Sequence, residues 1–503
     1  MKIVNPLLPG FHPDPSVCRV GHDYFLVTSS FEYFPGVPLF HSRDLVHWRP
    51  IGHCLTRKSQ LPLDRAAPSQ GIFAPTLRFH NGRFYMVTTN VSDKGNFLVS
   101  AADPSGEWSD PVWLDQPGID PSLFFDASGA VYLTSAGEDG ILQSRIDIAT
   151  GQRRTPLRTI WRGTGGRYPE GPHLYKIDGR YYLMIAEGGT EYGHMETVAR
   201  AGSPWGPFEP CPDNPLLTHR HRGRHPIQAT GHGDLVQSPD GSWWMVFLGI
   251  RPVDEHYHHL GRETFLAPVV WTKNGWPRVT TGGTVEMTMD GPAGPPCRWP
   301  REPERDDFDS PRRRLCWNFL RNPDEKSWSL TDRPGWLRLT GSGTTLDEAA
   351  SPSFIGRRQQ HFFCEVAARM DYAPRSPREE AGLTAYMNER HHYDIAVTHR
   401  GGRRCVLLRE RIGDLRAVVS EKTAGAGPLT LRLHASPREY RFSFDAGRRR
   451  NVLLGTAPTR YLSKEVAGGF TGVYFGLYAA GRGRPAFFDW FDYRPRRGSA
   501  GVI

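Results

Sequence analysis

"DGRYYLMIAEG", residues 178–188, is a turn followed by a strand of aromatic and branched residues, and the chain repeats it. The pattern returns as "GHDYFLVTSS" (21–30), "NGRFYMVTTN" (81–90), "SGAVYLTSAG" (128–137) and "DGSWWMVFLG" (240–249). With Tyr24, Phe84, Val131, Tyr181 and Trp243 taken as equivalent, the spacings are 60, 47, 50 and 62 residues. A period of about 40–60 residues with a strand–turn–strand signature is that of β-propeller blades, four-stranded sheets around a central channel. Residues 1–290 are therefore expected to form a five-bladed β-propeller.

Ten or eleven residues before each marker lies a second set of equivalent positions: Asp14 in "PDPS", Ala74 in "FAPT", Asp120 in "IDPS", Glu170 in "PEGPH" and His232 in "TGHGD". If each segment begins the innermost strand of its blade, all five meet at one mouth of the channel. In "FHPDPS" (11–16) the flanking prolines predict an extended, rigidly held Asp14. Three carboxyl groups brought together repel one another, so one is expected to hold a proton near neutral pH. A protonated acid beside an ionised carboxylate is what glycoside hydrolysis requires.

Other chemistries fit less well. His219, His221 and His225 in "HRHRGRH", and His256, His258 and His259 in "HYHHLGRE", lack the HExxH spacing of a dedicated zinc site, so no catalytic metal is expected. These histidines are expected to line the sugar pocket or its rim, and His232 could hold a water or a cation in the channel. No Walker loop, strand-linked GxGxxG or GxSxG elbow is present.

The 503 residues allow two or three domains, and 54 glycines and 43 prolines with 12% aromatics favour short strands and turns over long helices. The net charge of +9 is spread along the chain, with short clusters only at Arg312–Arg314 and Arg448–Arg450, so a nucleic-acid partner is not expected. Seven cysteines without a CxxC argue for a reducing compartment. "MKIVNPLLPG" has no apolar run of signal-peptide length and no stretch reaches 18 apolar residues, so a cytoplasmic protein with no membrane partner is expected.

Several ordered motifs, "NPLLPGFHPDPSVCRVGHDYFLVTSSFEYFPGVPLFHSRDLVHW", "GIFAPTLRFHNGRFYMVTTN", "GIDPSLFF", "EGPHLYK", "GHGDLVQ" and "LGRETFLAPVVW", resemble glycoside hydrolase family 43, a family of β-xylosidases and α-L-arabinofuranosidases on a five-bladed propeller. The resemblance implies that Asp14 is the general base activating water, Glu170 the general acid, and Asp120 a third carboxylate that raises and orients the acid. It implies that Arg262 contacts sugar hydroxyls near the acid, that His232 is the family's channel histidine, and that Phe31, Phe73 and Thr190 line the sugar subsite. The family's xylosidases commonly carry "GIWAP" where this chain has "GIFAP", so Phe73 replaces a tryptophan at the subsite and bears on which sugar is taken. The family inverts configuration, which implies an Asp14–Glu170 separation of roughly 6.5–9.5 Å and not the 5–5.5 Å of a retaining pair.

"DGPAGPPCRWPREPERDD" (290–307) reads as a linker, assigned to residues 291–304. Alternating segments beyond it, among them "HFFCEVAARMDY" and "LTLRLHASPREYRFSFDAG", predict a β-sandwich of jelly-roll, lectin-like form over 305–497, which also resembles the domain appended to the family's xylosidases. This domain is either a carbohydrate-binding module or a wall narrowing the site, with a loop expected from "AAGRGRPAFFDWFDY" (479–493). Asp489 and Asp492, with Asp306, Asp307 and Asp309, could hold a structural calcium; no cofactor is needed for the chemistry.

The resulting expectation is an all-β, inverting exo-glycosidase that removes terminal β-D-xylosyl residues from xylo-oligosaccharides, with room for a homo-oligomer. α-L-Arabinofuranosidase, or dual activity, is the alternative within the class. A non-catalytic sugar-binding propeller is the alternative outside it.

Overall fold

The computed structural model describes residues 1–280 and 282–496, and among these the architecture is β throughout apart from two short helical turns at Thr459–Leu462 and Lys464–Ala467. Five sheets follow one another along the first half of the chain, and each is antiparallel. Their first strands are Ser16–Val20, Thr76–His80, Ile119–Phe125, Glu170–Ile177 and Gln228–Gln237. Each of the five aromatic or branched markers lies at or near the start of the second strand of its sheet, as in Arg180–Glu187 and Trp243–Ile250. Turn residues such as Asp178-Gly179 and Asn81-Gly82, all at positive φ, close these hairpins.

The five first strands adjoin in a closed ring, and polar side chains tie them across its axis. The Ser16 hydroxyl donates to Asp234 (2.6 Å) and accepts the Leu77 amide (3.0 Å). Arg78 meets Asp234 (2.8 Å) and His173 (2.9 Å), and Ser122 also reaches His173 (3.1 Å). Tyr175 donates to Asp234 (2.6 Å). Burial alone would push the Asp234 carboxyl up, but Arg78 and His173 outweigh it and hold it well below the usual carboxylate range. All five sheets thus contribute to one buried ionic network.

Beyond Asp290, which pairs back with Lys2, the chain to residue 304 contains no strand. It is pinned along the first sheet: the Cys297 amide donates to Asp44 (2.7 Å), Trp299 Nε1 donates to the His47 carbonyl (3.0 Å), and the Arg49 guanidinium covers the Trp299 ring at 3.9 Å. The second half holds two facing sheets. One runs Ser353–Arg358, Tyr474–Ala480, Glu380–Asn388, His391–Arg400, Arg403–Ile412, Leu415–Thr423; the other is centred on Cys364–Asp371, Leu429–Ala435 and Ala486–Pro495. Between them lies an apolar core that includes Val366, Met370, Leu383, Ile395, Leu431, Phe442 and Phe475. Residue 497, the expected end of this domain, lies outside the described residues.

The two halves are joined by more than surface contact. Tyr33–Phe34 pairs with Phe319–Leu320, Tyr33 stacks on Tyr474 at 3.9 Å, and Arg321, fully buried, donates to the Ala66 carbonyl (2.6 Å) and to Glu389 (2.6 Å). The carboxylates considered for calcium have protein partners: Asp489 pairs with Arg369, Asp492 with Arg494, Asp307 with Arg305, and Asp306 accepts from Trp317. Among the described residues no three His, Cys, Asp or Glu side chains converge with metal-ligand geometry. No helix is long and apolar enough to cross a membrane.

Candidate active site

Asp14, Asp120, Glu170 and His232 meet at one end of the ring, and the local backbone explains how. Asp14, Asp120 and His232 adopt φ of 54°, 51° and 54°, and the strand pairings slip between Ile119 and Ser122, between Glu170 and His173, and on both sides of Gly231. Such bulges re-aim side chains at strand ends. The extended conformation expected of Asp14 from its prolines is not found; its positive φ is a strained state for a non-glycine residue, held by the surrounding hydrogen bonds. Gly171 also has positive φ, and a Cβ there would lie 3.0 Å from the His232 ring, so glycine is required where that ring crosses the backbone.

Asp14 is buried. It accepts from Ser29 Oγ and from Arg262, whose Nη1 lies 2.6 Å from Oδ1, while His232 Nδ1 stands 3.9 Å away. Arg262 therefore has its fork on Asp14, the carboxylate expected to be the base, and its charge also acts on Glu170, the expected acid. Asp120 accepts the Gly171 amide at 3.2 Å, and burial, reinforced by the Asp14 charge against the pull of His232, raises its pKa. Glu170, on the pocket wall, is pushed up to about 8 by burial first and then by the charges of Asp120 and Asp14. A carboxyl so raised is held protonated at neutral pH.

The cavity above these groups has a volume of about 110 Å³, and all eight residues singled out in the sequence line it, with Phe31, Phe73 and Thr190 forming its side. This is well below the roughly 300 Å³ where sites for drug-sized ligands begin. Phe31 and Phe73 lie 5.2 Å apart, tilted, and the Thr190 hydroxyl has no protein partner.

Three further contributors carried no readable motif. Phe470, from the sandwich, closes the cavity: it stacks near Phe31 (5.9 Å), its amide donates to Ser69 (2.8 Å), and Arg262 lies 5.6 Å from its ring. The reaching segment is thus the turn at Gly468–Thr471, not the expected 479–493. Lys464 donates to the Thr190 carbonyl (2.7 Å) and has its pKa lowered by burial and by Arg262. His194 is fully buried, with Nδ1 3.2 Å from the Ala229 carbonyl and Nε2 3.8 Å from Glu170 Oε1. A carbonyl can only accept, so Nδ1 carries the hydrogen and the Nε2 lone pair faces the acid; burial pushes this ring down to about 3 and keeps it neutral.

The histidine clusters do not line the cavity. His219 is held by the Ile227 carbonyl, His225 by Glu286, and His258 by Glu465 (2.6 Å). The last contact clamps the helical turn that carries Lys464 against the catalytic half.

Comparison with known proteins shows the family of the chain. The chain matches the profile of glycosyl hydrolases family 43 over residues 3–277 and that of the β-xylosidase C-terminal concanavalin A-like domain over 305–494. It is 47% identical, over 97% of its length and 94% of the relative's, to a non-reducing end α-L-arabinofuranosidase, BoGH43B, of Bacteroides ovatus. A xylosidase/arabinosidase of Butyrivibrio fibrisolvens is 39% identical over 97% of this chain and 98% of that protein. The crystal structure of a xylan β-1,4-xylosidase from Bacillus halodurans superposes with a TM-score of 0.95 at 38% identity, covering 98% of this chain and all of that one. The chain belongs to glycosyl hydrolases family 43.

Proposed function

We propose that the protein is an inverting exo-glycosidase that releases a single pentose from the non-reducing end of an oligosaccharide. The observation that carries this reading is the trio of carboxyl groups in one small cavity, with Glu170 raised to about 8 and Asp14 ion-paired. Glu170 protonates the leaving oxygen, Asp14 takes the proton of the attacking water, and Asp120 keeps the acid protonated through its charge. Arg262 holds Asp14 in position. The five sheets act as the blades of a five-bladed propeller over residues 1–290, residues 291–304 link it to the sandwich, and the sandwich completes the pocket through Phe470.

Two terminal sugars fit the reading. The α-L-arabinofuranosyl group is favoured by the 47% identical relative and by Phe73, the departure from the tryptophan implied by the family's xylosidases. The β-D-xylosyl group is favoured by the xylosidases that match over nearly the whole chain. Side-by-side kcat/KM on an aryl α-L-arabinofuranoside and an aryl β-D-xyloside, with Asp14→Ala as control, separates them. Turnover of either that vanishes in the variant supports the assignment; no turnover of either returns the non-catalytic sugar-binding reading. NMR of the first-formed anomer tests inversion.

A further inference from the structure

The sandwich carries a cavity of about 830 Å³ on the outer face of its six-stranded sheet, distinct from the pentose pocket. Five guanidinium groups, Arg378, Arg400, Arg409, Arg416 and Arg482, line it, against one carboxylate, Glu380. That carboxylate is already occupied: Arg409 grips both of its oxygens (2.7 and 2.5 Å), and Tyr478 donates to it at 3.3 Å. Arg416 lies 3.1 Å from Asp347, and Arg400 forms an exposed pair with Glu421 at 3.0 Å. Arg378 and Arg482, both exposed, form no ion pair among the described residues. Part of the chain's net charge of +9, which looks scattered in sequence, therefore collects here.

The lining also limits what can bind. No aromatic ring lines the groove, so stacking on a neutral sugar has no platform; the fixed chemistry is guanidinium, whose planar fork matches a carboxylate. The lining passes from Ala480 through Glu380, Thr398 and Leu407 to Ala417, one neighbouring strand to the next, so the groove crosses five strands and offers length to an extended chain. Its floor residue Leu407 packs in the same apolar cluster as Phe31 of the pentose pocket, so it lies on the sheet face that meets the catalytic half.

We propose that this groove binds a uronate-bearing oligosaccharide through its carboxylates, as a second saccharide site on the glycosidase. The test titrates the whole protein with end-labelled chains by fluorescence anisotropy at low salt. It compares a glucuronate-substituted xylo-oligosaccharide, the unsubstituted chain of equal length, inorganic phosphate as competitor and a glutamate-rich peptide. The acidic chain is expected to bind at least about tenfold more tightly than the neutral one, and 0.5 M salt to remove the difference, as for screened charges. Arg378→Ser with Arg482→Ser is expected to abolish the preference while leaving aryl-glycoside turnover unchanged, so loss of this site is distinguishable from loss of the catalytic reading. Equal affinity for acidic and neutral chains, or a preference that survives the double substitution, overturns the proposal. Tighter binding of phosphate or of the peptide than of the acidic chain overturns the saccharide assignment.

Discussion

Asp120→Asn isolates the electrostatic part of the proposed acid. The substitution keeps an oxygen to accept the Gly171 amide and removes one of the two negative charges that raise Glu170. A like charge in contact is worth about 1 pKa unit or more, so the acid should fall from about 8 to about 7 or lower. The acid works protonated, so activity is present below its pKa and is lost as pH rises through it. With a shift of about one unit the protonated fraction at pH 8 drops from about a half to about a tenth, a loss of about fivefold beyond any pH-independent effect, whereas at pH 6 it changes by less than about 10%. The assay is kcat/KM against pH on an alkyl or oligosaccharide substrate, whose departure needs protonation. The diagnostic quantity is the position of the basic limb, not the absolute rate. A basic limb that stays in place, or moves upward, would refute the claim that Asp120 sets the acid through its charge.

Other consequences follow from the same geometry. Glu170→Gln should cut kcat/KM by about 10²–10⁴ for a poor leaving group and much less for a nitrophenolate; equal losses on both would remove Glu170 as the acid. Phe470→Ala should raise KM by about 2- to 12-fold, the worth of about 0.5–1.5 kcal/mol for an aromatic contact, and an unchanged KM would show that the sandwich does not serve the subsite. Asp234→Ala leaves Arg78 buried without its partner, a loss of about 3–5 kcal/mol, to be read as a lower thermal unfolding midpoint; a midpoint equal to the parent's would deny the axial network its structural role.

The reach of the sequence ended where contacts cross between distant elements. The repeat was readable because each hairpin opens with turn residues and an aromatic strand, and these recur at one offset from a polar residue. That shared offset is why Asp14, Asp120, Glu170 and His232 could be gathered before any coordinates. Arg262, Phe31, Phe73 and Thr190 came from motif resemblance, and the structure lines the same cavity with them. Phe470 lay in "VAGGFTG", which reads as an ordinary turn, and its partner Ser69 is about 400 residues away. His194 stands at the start of a strand with no motif around it, and only the Ala229 carbonyl and the Gly231 gap reveal its orientation. The histidine clusters misled for the opposite reason: neighbours in sequence, they are taken up by groups outside the cavity, His219 and His225 by the Ile227 carbonyl and His258 by Glu465.

The strained residues and the axial network are two parts of one device. A non-glycine residue at positive φ costs about 1–3 kcal/mol, and Asp14, Asp120 and His232 all adopt it within the site. Such a backbone persists only if the strand behind it cannot relax. Two residues farther along those strands stand Ser16, Ser122 and Asp234, each tied into the network that Arg78 and His173 complete across the axis. Relaxing Asp14 or His232 would draw its strand and break a buried charge-assisted bond of Asp234, and relaxing Asp120 would break the bond between Ser122 and His173, losses of about 1–3 kcal/mol. The ring therefore fixes the spacing of the three carboxyl groups before a sugar arrives, and that spacing adds the charges of Asp120 and Asp14 to the burial that raises Glu170. Loosening the axis should disturb the acid's pH profile as well as stability, even though no axial side chain touches the pocket.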